Sequence, residues 1–185
     1  MTVSGRAGDV SAPSKFAYAD PPYYGLGSYY ADRHPEALQW DDLETHHQLI
    51  DRLSAEYPDG WALSLHSPAL KDILPLCPRD VRVLAWVKPF ASFKPGVGLA
   101  YTWEPVIFRG GRRIVWPTQT VRDHIAENIT LKKGLVGAKP EAFCEWILRA
   151  LNVQAGDTVD DLFPGTSVMG RVVERYLTER WAEAL

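Results

Sequence analysis

Asp20-Pro21-Pro22-Tyr23 follows the apolar run Phe16-Ala17-Tyr18-Ala19 and sets an acid, a rigid backbone and an aromatic ring at the end of one expected strand. Those groups suit an exocyclic amine. A carboxylate accepts one amine hydrogen, a carbonyl held by a proline ring accepts the other, and the aromatic face stacks on a flat base. Taken alone, the four residues also fit a turn after a strand, or a proline-rich docking peptide ending in Tyr23-Tyr24.

A second stretch, Asp161-Leu162-Phe163-Pro164-Gly165, closes another expected strand, Thr158 to Leu162. Glycine lets backbone approach a ligand closely, and Thr166 or Ser167 can cap the next helix and leave its N–H groups free for an anion. Such a loop suits the carboxylate end of an amino acid, although an ordinary strand-to-helix turn has the same residues. A phosphate-binding P-loop is excluded, because no Gly-Lys-Ser/Thr follows.

Alternating strands and helices position these turns. Asp41 and Glu44 form a capping-box pair, and Leu43, Ile50, Leu53 and Tyr57 recur at helical spacing up to the turn Pro58-Asp59-Gly60. A strand is expected from Trp61 to Leu65, then a short helix capped by Ser67 that ends by Pro78. Val81 to Val87 and Tyr101 to Phe108 read as strands, Pro140 opens a helix with Phe143, Ile147, Leu148 and Leu151 on one face, and a last helix starts near Val168. Residues 109–137 have no clean period and are basic. The order predicts a single α/β domain over residues 16–185, with a mainly parallel sheet covered on both faces, preceded by a mobile Gly/Ser/Pro-rich arm over residues 1–15. In such sheets ligands collect beyond the carboxyl ends of the strands, so both turns share one cleft if their strands are neighbours.

The formal charge of -3 and the pI near 5.9 give no global attraction to nucleic acid, so such a partner needs a local basic face. The two cysteines, Cys77 and Cys144, lack paired metal-site spacing and read as reduced thiols. His46-His47 point to different faces of their helix, and His34, His66 and His124 are isolated, so no metal site is expected. No apolar stretch approaches the roughly 20 residues of a membrane span, and a cytoplasmic location is expected.

Together the motifs resemble those of the S-adenosylmethionine-dependent amino-methyltransferases of nucleic acid, in the permuted order with the catalytic motif first; small phage-type DNA methylases are the nearest in pattern. Asp20-Pro21-Pro22-Tyr23 is similar to the family's catalytic motif, and Asp161-Leu162-Phe163-Pro164-Gly165 to its cofactor loop. Gly137-Ala138-Lys139-Pro140 with Glu141 resembles the Lys-Pro motif ahead of the cofactor strand; Trp86-Val87-Lys88 and Trp103 to Phe108 look like its later strands. The resemblance implies a Rossmann-like, circularly permuted fold lacking the usual final strands. It implies S-adenosylmethionine at Ala19, Lys139, Pro140, Asp161, Leu162, Phe163, Pro164, Gly165, Thr166 and Ser167. Ser167 stands where the family has a second glycine, and the strand that supplies an acid to the cofactor ribose would lie beyond Leu185. That contact is then expected from elsewhere in the chain, or from a second copy or partner subunit.

The implied reaction is methylation of adenine N6 in DNA. Asp20 and the Pro21 carbonyl would draw the amine hydrogens out of the ring plane and localise the nitrogen lone pair, while Tyr23 stacks on a flipped base, a contact worth about 1–3 kcal/mol. N4 of cytosine is the lesser alternative. Cytosine C5 chemistry needs a cysteine nucleophile, usually in a Pro-Cys pair, and the chain has only the reversed Cys77-Pro78. Phosphate contacts are expected from Arg109, Arg112, Arg113 and Arg122, with Trp116 stacking, unless this segment is only a solvated loop. RNA is a possible substrate in place of DNA. A noncatalytic relative that binds nucleic acid or pairs with an active subunit is the competing reading.

Overall fold

A computed structural model of the chain describes residues 12–31, 35–90, 96–114, 120–130 and 138–184. Six strands form one sheet: β1 (Lys15–Ala19), β2 (Gly60–Ser64), β3 (Arg82–Val87), β4 (Trp103–Gly110), β5 (His124–Ala126) and β6 (Thr158–Asp161), in the order β5-β3-β4-β2-β1-β6. β1 is parallel to both β2 and β6, and β3 is parallel to β5; β4 runs antiparallel to β2 and β3. The expected α/β class and mainly parallel sheet are therefore present.

β1 and β2 are central because their side chains have no polar face: Phe16 to Ala19 and all of β2 are buried. Strands covered on both sides read as continuous apolar runs. On one face Phe16, Tyr18, Leu84, Trp86 and Val106 pack on Phe143, Ile147 and Leu148 of α4 (Glu141–Leu151) and on Met169 and Val172 of α5 (Val168–Ala184). On the other, Ala17, Trp61, Leu63 and Ile107 pack on Leu49, Ile50 and Leu53 of α2 (Leu43–Glu56) and on Ile73 of α3 (Leu70–Ile73); a four-residue α1 (Gly27–Tyr30) precedes these in the chain. Phe143 is fully enclosed, and truncating such an aromatic costs about 3–5 kcal/mol.

Several local expectations are corrected. The cap of α2 is Asp42, whose side chain accepts the Glu44 N–H at 3.0 Å. Asp41 instead accepts the Gly27 N–H at 2.8 Å and pins α1. The short helix after β2 is capped at His66, with no side-chain bond, and Ser67 lies in its first turn. β6 ends at Asp161, although the Leu162 N–H still reaches the Tyr18 carbonyl at 3.0 Å. Inside the segment expected to be irregular, His124 to Ala126 pair with Ala85 to Val87 as β5. Residues 1–11 of the expected arm lie outside the described residues, and its end is held: the Ser14 N–H donates to Asp157 at 2.8 Å and Lys15 begins β1.

Candidate active site

Tyr18 of β1 pairs with Asp161 of β6 in register, so the two strands end side by side. β1 stops at Ala19 because Pro21 has no N–H to extend the ladder, and the buried Pro21 turns the chain away. Between the strand ends lies a cavity of about 140 Å³. Asp20 and Lys139 line it with Asp161, Phe163, Pro164, Gly165 and Thr166; Tyr18, Ala138, Cys144, Val168 and Met169 complete the wall. Of the residues expected at a cofactor, Ala19, Pro140, Leu162 and Ser167 do not line it. Ala19 and Leu162 pack in the core on the α2 side, and Pro140 caps α4, its carbonyl accepting the Phe143 and Cys144 N–H groups at 3.0 and 3.2 Å.

The loop after β6 has a constrained backbone. Gly165 has φ +42°, and Ser167 has φ +56°, in the left-handed region that a side chain disfavours. Serine thus adopts there the conformation glycine takes freely. Its carbonyl accepts the Arg171 N–H at 3.2 Å and starts α5, while its own N–H reaches the Pro164 carbonyl.

A compact charge cluster adjoins the cavity. Lys139 Nζ donates to Asp20 Oδ1 at 2.9 Å and to the Tyr23 hydroxyl at 2.7 Å. That hydroxyl lies 2.9 Å from Glu104 Oε2 and 3.1 Å from Asp20 Oδ1. Glu104 Oε2 is 3.3 Å from Lys139 Nζ, and its Oε1 accepts from Lys88. Two ammoniums and two carboxylates therefore balance. Burial raises the Asp20 carboxyl above the usual range against the pull of Lys139. Burial also pushes Glu104 up, but Lys139 and Lys88 outweigh it and hold that carboxyl at about 2. For Lys139, Asp20 and Glu104 outweigh the opposing burial and keep the ammonium charged. Burial, then Asp20 and Glu104, raise the Tyr23 phenol well above its ordinary value, so it stays protonated.

Tyr23 also stacks parallel on His66, with centroids 5.7 Å apart and planes within 7°. Sequence reading gave His66, Glu104 and Lys88 no part in the site. The available signal was two ionisable residues, Lys88 and Glu104, beside buried apolar strand residues. Neither thiol is an activated nucleophile. Burial raises Cys144 to about 12 and Cys77 to about 11, and the Cys77 thiol lies 3.5 Å from the Ile73 carbonyl.

The arginines expected on phosphates are not gathered at the cleft. β4 runs antiparallel, so Arg109 faces Trp61 and Gly110 faces Gly60, at the start of β2 and at the far end of the sheet from Asp20. Arg109 pairs with Asp80 at 2.9 Å. Arg112 pairs with the buried Asp157 at 2.5 Å, a structural tie between the chain after β4 and the turn before β6. Arg113 follows on the same stretch and is exposed, as is Arg122, whose carbonyl accepts from the Trp146 indole at 2.9 Å. Trp116 lies outside the described residues.

The strand order and paired strand-end turns define a Rossmann-like α/β fold. Solved structures share it. The M1.HpyAVI–SAM complex aligns with a TM-score of 0.56 and 15% identity over 89% of this chain and 79% of that one. A Thermus thermophilus protein assigned as a DNA modification methylase, complexed with S-adenosyl-L-methionine, aligns at 0.53 and 17% identity over 89% and 80%. No family model and no curated protein matches the chain. Among the described residues, no helix is long and apolar enough to cross a membrane.

Proposed function

We propose that the chain transfers a methyl group from S-adenosylmethionine to the N6 amine of adenine in DNA. One observation carries this reading: the acid of the Asp-Pro-Pro-Tyr turn and the glycine loop after β6 line the same cavity, through the pairing of β1 with β6. The two solved structures of the same fold hold this cofactor, and the donor set here fits it. The Lys139 ammonium and the loop from Asp161 to Thr166 would hold its amino-acid end, with Phe163 and Met169 as apolar wall. When bound, the cofactor supplies a methylsulfonium, an electrophilic methyl.

The chain's own residues act on the nucleophile. Both polar contacts of Asp20, with Lys139 Nζ and the Tyr23 hydroxyl, fall on Oδ1, and Oδ2 takes none from the described residues. Oδ2 accepts one amine hydrogen and the Pro21 carbonyl the other, which pulls the nitrogen lone pair out of conjugation and aims it at the cavity. His66 covers one face of Tyr23, and the target base stacks on the opposite face. The acid at the head of the motif favours adenine over cytosine.

The test is incubation of the protein with isotope-labelled S-adenosylmethionine and unmodified DNA, followed by mass spectrometry of the nucleosides. N6-methyladenine is expected. N4-methylcytosine would move the substrate to the other base. Cofactor binding by calorimetry without transfer to DNA or RNA would identify a noncatalytic subunit instead.

A further inference from the structure

Glu104 is the hub of the charge cluster and lies outside both strand-end motifs. It projects from β4, and its carboxylate meets three groups: Tyr23 hydroxyl at 2.9 Å, Lys139 Nζ at 3.3 Å and Lys88. Its side chain is only 15% exposed. A lone acid so placed needs compensation, and two ammoniums supply it.

The tyrosine sharpens the point. A phenol has one hydrogen, yet Tyr23 lies within bonding distance of two carboxylates. Lys139 already donates to the phenol oxygen, which makes the hydroxyl a better donor. Glu104 is nearer than Asp20 and firmly ionised, so it receives the hydrogen.

Resting on the methyl-transfer reading above, we propose that Glu104 is a positioning residue. It draws the Tyr23 hydroxyl hydrogen and part of the Lys139 ammonium to itself, so that Asp20 is neither fully paired nor fully donated to and remains an acceptor for the substrate amine. Without Glu104, the phenol hydrogen and the whole of the Lys139 charge would collapse onto Asp20. Asp20 would then be a weaker acceptor, and Tyr23 would lose its anchor beside His66. The ionisable groups facing Asp20 are Lys139 ahead of α4, Cys144 on α4, Tyr18 of β1, Tyr23, Glu104 of β4 and Asp161 of β6. Of these, Lys139 and Tyr23 contact Asp20 directly, and Glu104 contacts both of them.

The deciding measurement is a carbon-13 NMR titration of the Asp20 side-chain carboxyl in the wild type, Glu104→Gln and Tyr23→Phe. In Glu104→Gln the Asp20 midpoint should fall by about one pH unit, because a like charge leaves while two donors turn to Asp20. In Tyr23→Phe it should not rise, because the hydroxyl hydrogen belongs to Glu104. A rise there, or an unmoved midpoint in a folded Glu104→Gln, overturns the proposal. In methyl transfer, Glu104→Gln should lower kcat on the order of 10- to 100-fold with KM for DNA unchanged. A raised KM with unchanged kcat also overturns it. If the wild type methylates no nucleic acid while the titration shifts occur, the methyl-transfer reading fails and the positioning role in that reaction falls with it, while the assignment of the Tyr23 hydrogen to Glu104 stands.

Discussion

Lys139 Nζ donates to Asp20 Oδ1 at 2.9 Å, closing a contact between residues 119 positions apart. The lysine arrives from the turn ahead of α4 and the aspartate from the end of β1, so neither motif is complete without the other. Lys139 is buried, with 8% of its side chain exposed, and its charge is balanced by Asp20 and Glu104.

Asp20→Ala removes the proposed amine acceptor and leaves Lys139 paired with Glu104. Methyl transfer should fall by about 10²-fold or more, in the range of losses for removing a positioned transition-state contact. Circular dichroism should show the native fold. Retained transfer in the folded variant excludes the role given to Asp20.

Glu104 also ties stability to pH. Its carboxyl titrates at about 2 in the folded protein against an ordinary 4.5. A depressed carboxyl contributes stability above its unfolded value and loses it as pH falls through the folded value, so the contribution disappears between about pH 4.5 and about 2. It amounts to roughly 3 kcal/mol, from about 1.4 kcal/mol for each pH unit. Urea unfolding of the wild type and Glu104→Gln across that window should give stability curves that converge at the acid end.

Ser167 carries a side chain at φ +56°. Ser167→Gly removes that strain while adding backbone freedom to the unfolded chain, for a net gain of about 0.5–1 kcal/mol. The melting temperature should rise and cofactor affinity should hold or improve. A lower melting temperature would mean that the serine side chain makes a stabilising contact.

Arg112 bridges to Asp157, whose carboxylate also accepts the Ser14 and Gln154 N–H groups at 2.8 Å. Arg112→Ala strands a buried carboxylate and should cost about 3–5 kcal/mol of stability. Because Arg109 and Arg112 stand at the far end of the sheet, Arg109→Ala should leave the salt dependence of DNA binding unchanged. A shallower dependence of affinity on salt in that variant would return the arginine to the DNA interface.

Much of the scaffold was legible because its signals are local. Four of the six strands follow from apolar runs, β6 from the Gly156-Asp157 turn ahead of it, and α4 and α5 from helical spacing ahead of which Pro140 and Gly165 break the chain. β5 was not legible: three residues flanked by charges make no pattern, and they become a strand only because β3 offers an open edge. Asp41 and Asp42 are interchangeable to a motif reader. The choice between them was made by Gly27, whose N–H engages Asp41.

The site divides along the same line. Asp20-Pro21-Pro22-Tyr23 and Asp161 to Gly165 were visible because backbone rigidity and glycine freedom are properties of single residues. Glu104 and Lys88 were not, since an acid and a lysine near two strand ends gain meaning only when β3 and β4 set them against each other beside Tyr23. The arginines show the opposite limit. Adjacent in sequence, they read as one basic patch, yet the antiparallel course of β4 takes Arg109 away from the cleft and into a pair with Asp80.

The sequence by itself determined the two strand-end turns and most of the strands and helices, because apolar spacing, proline, glycine and capping act over a few residues. Tertiary structure alone decided which of those residues meet. Strand order brings Asp20 to Asp161 and Lys139, and strand direction separates both from Arg109. Burial then gives the gathered charges their character, because a group's affinity for a proton depends on the solvent and charges around it and not on its neighbours in the chain.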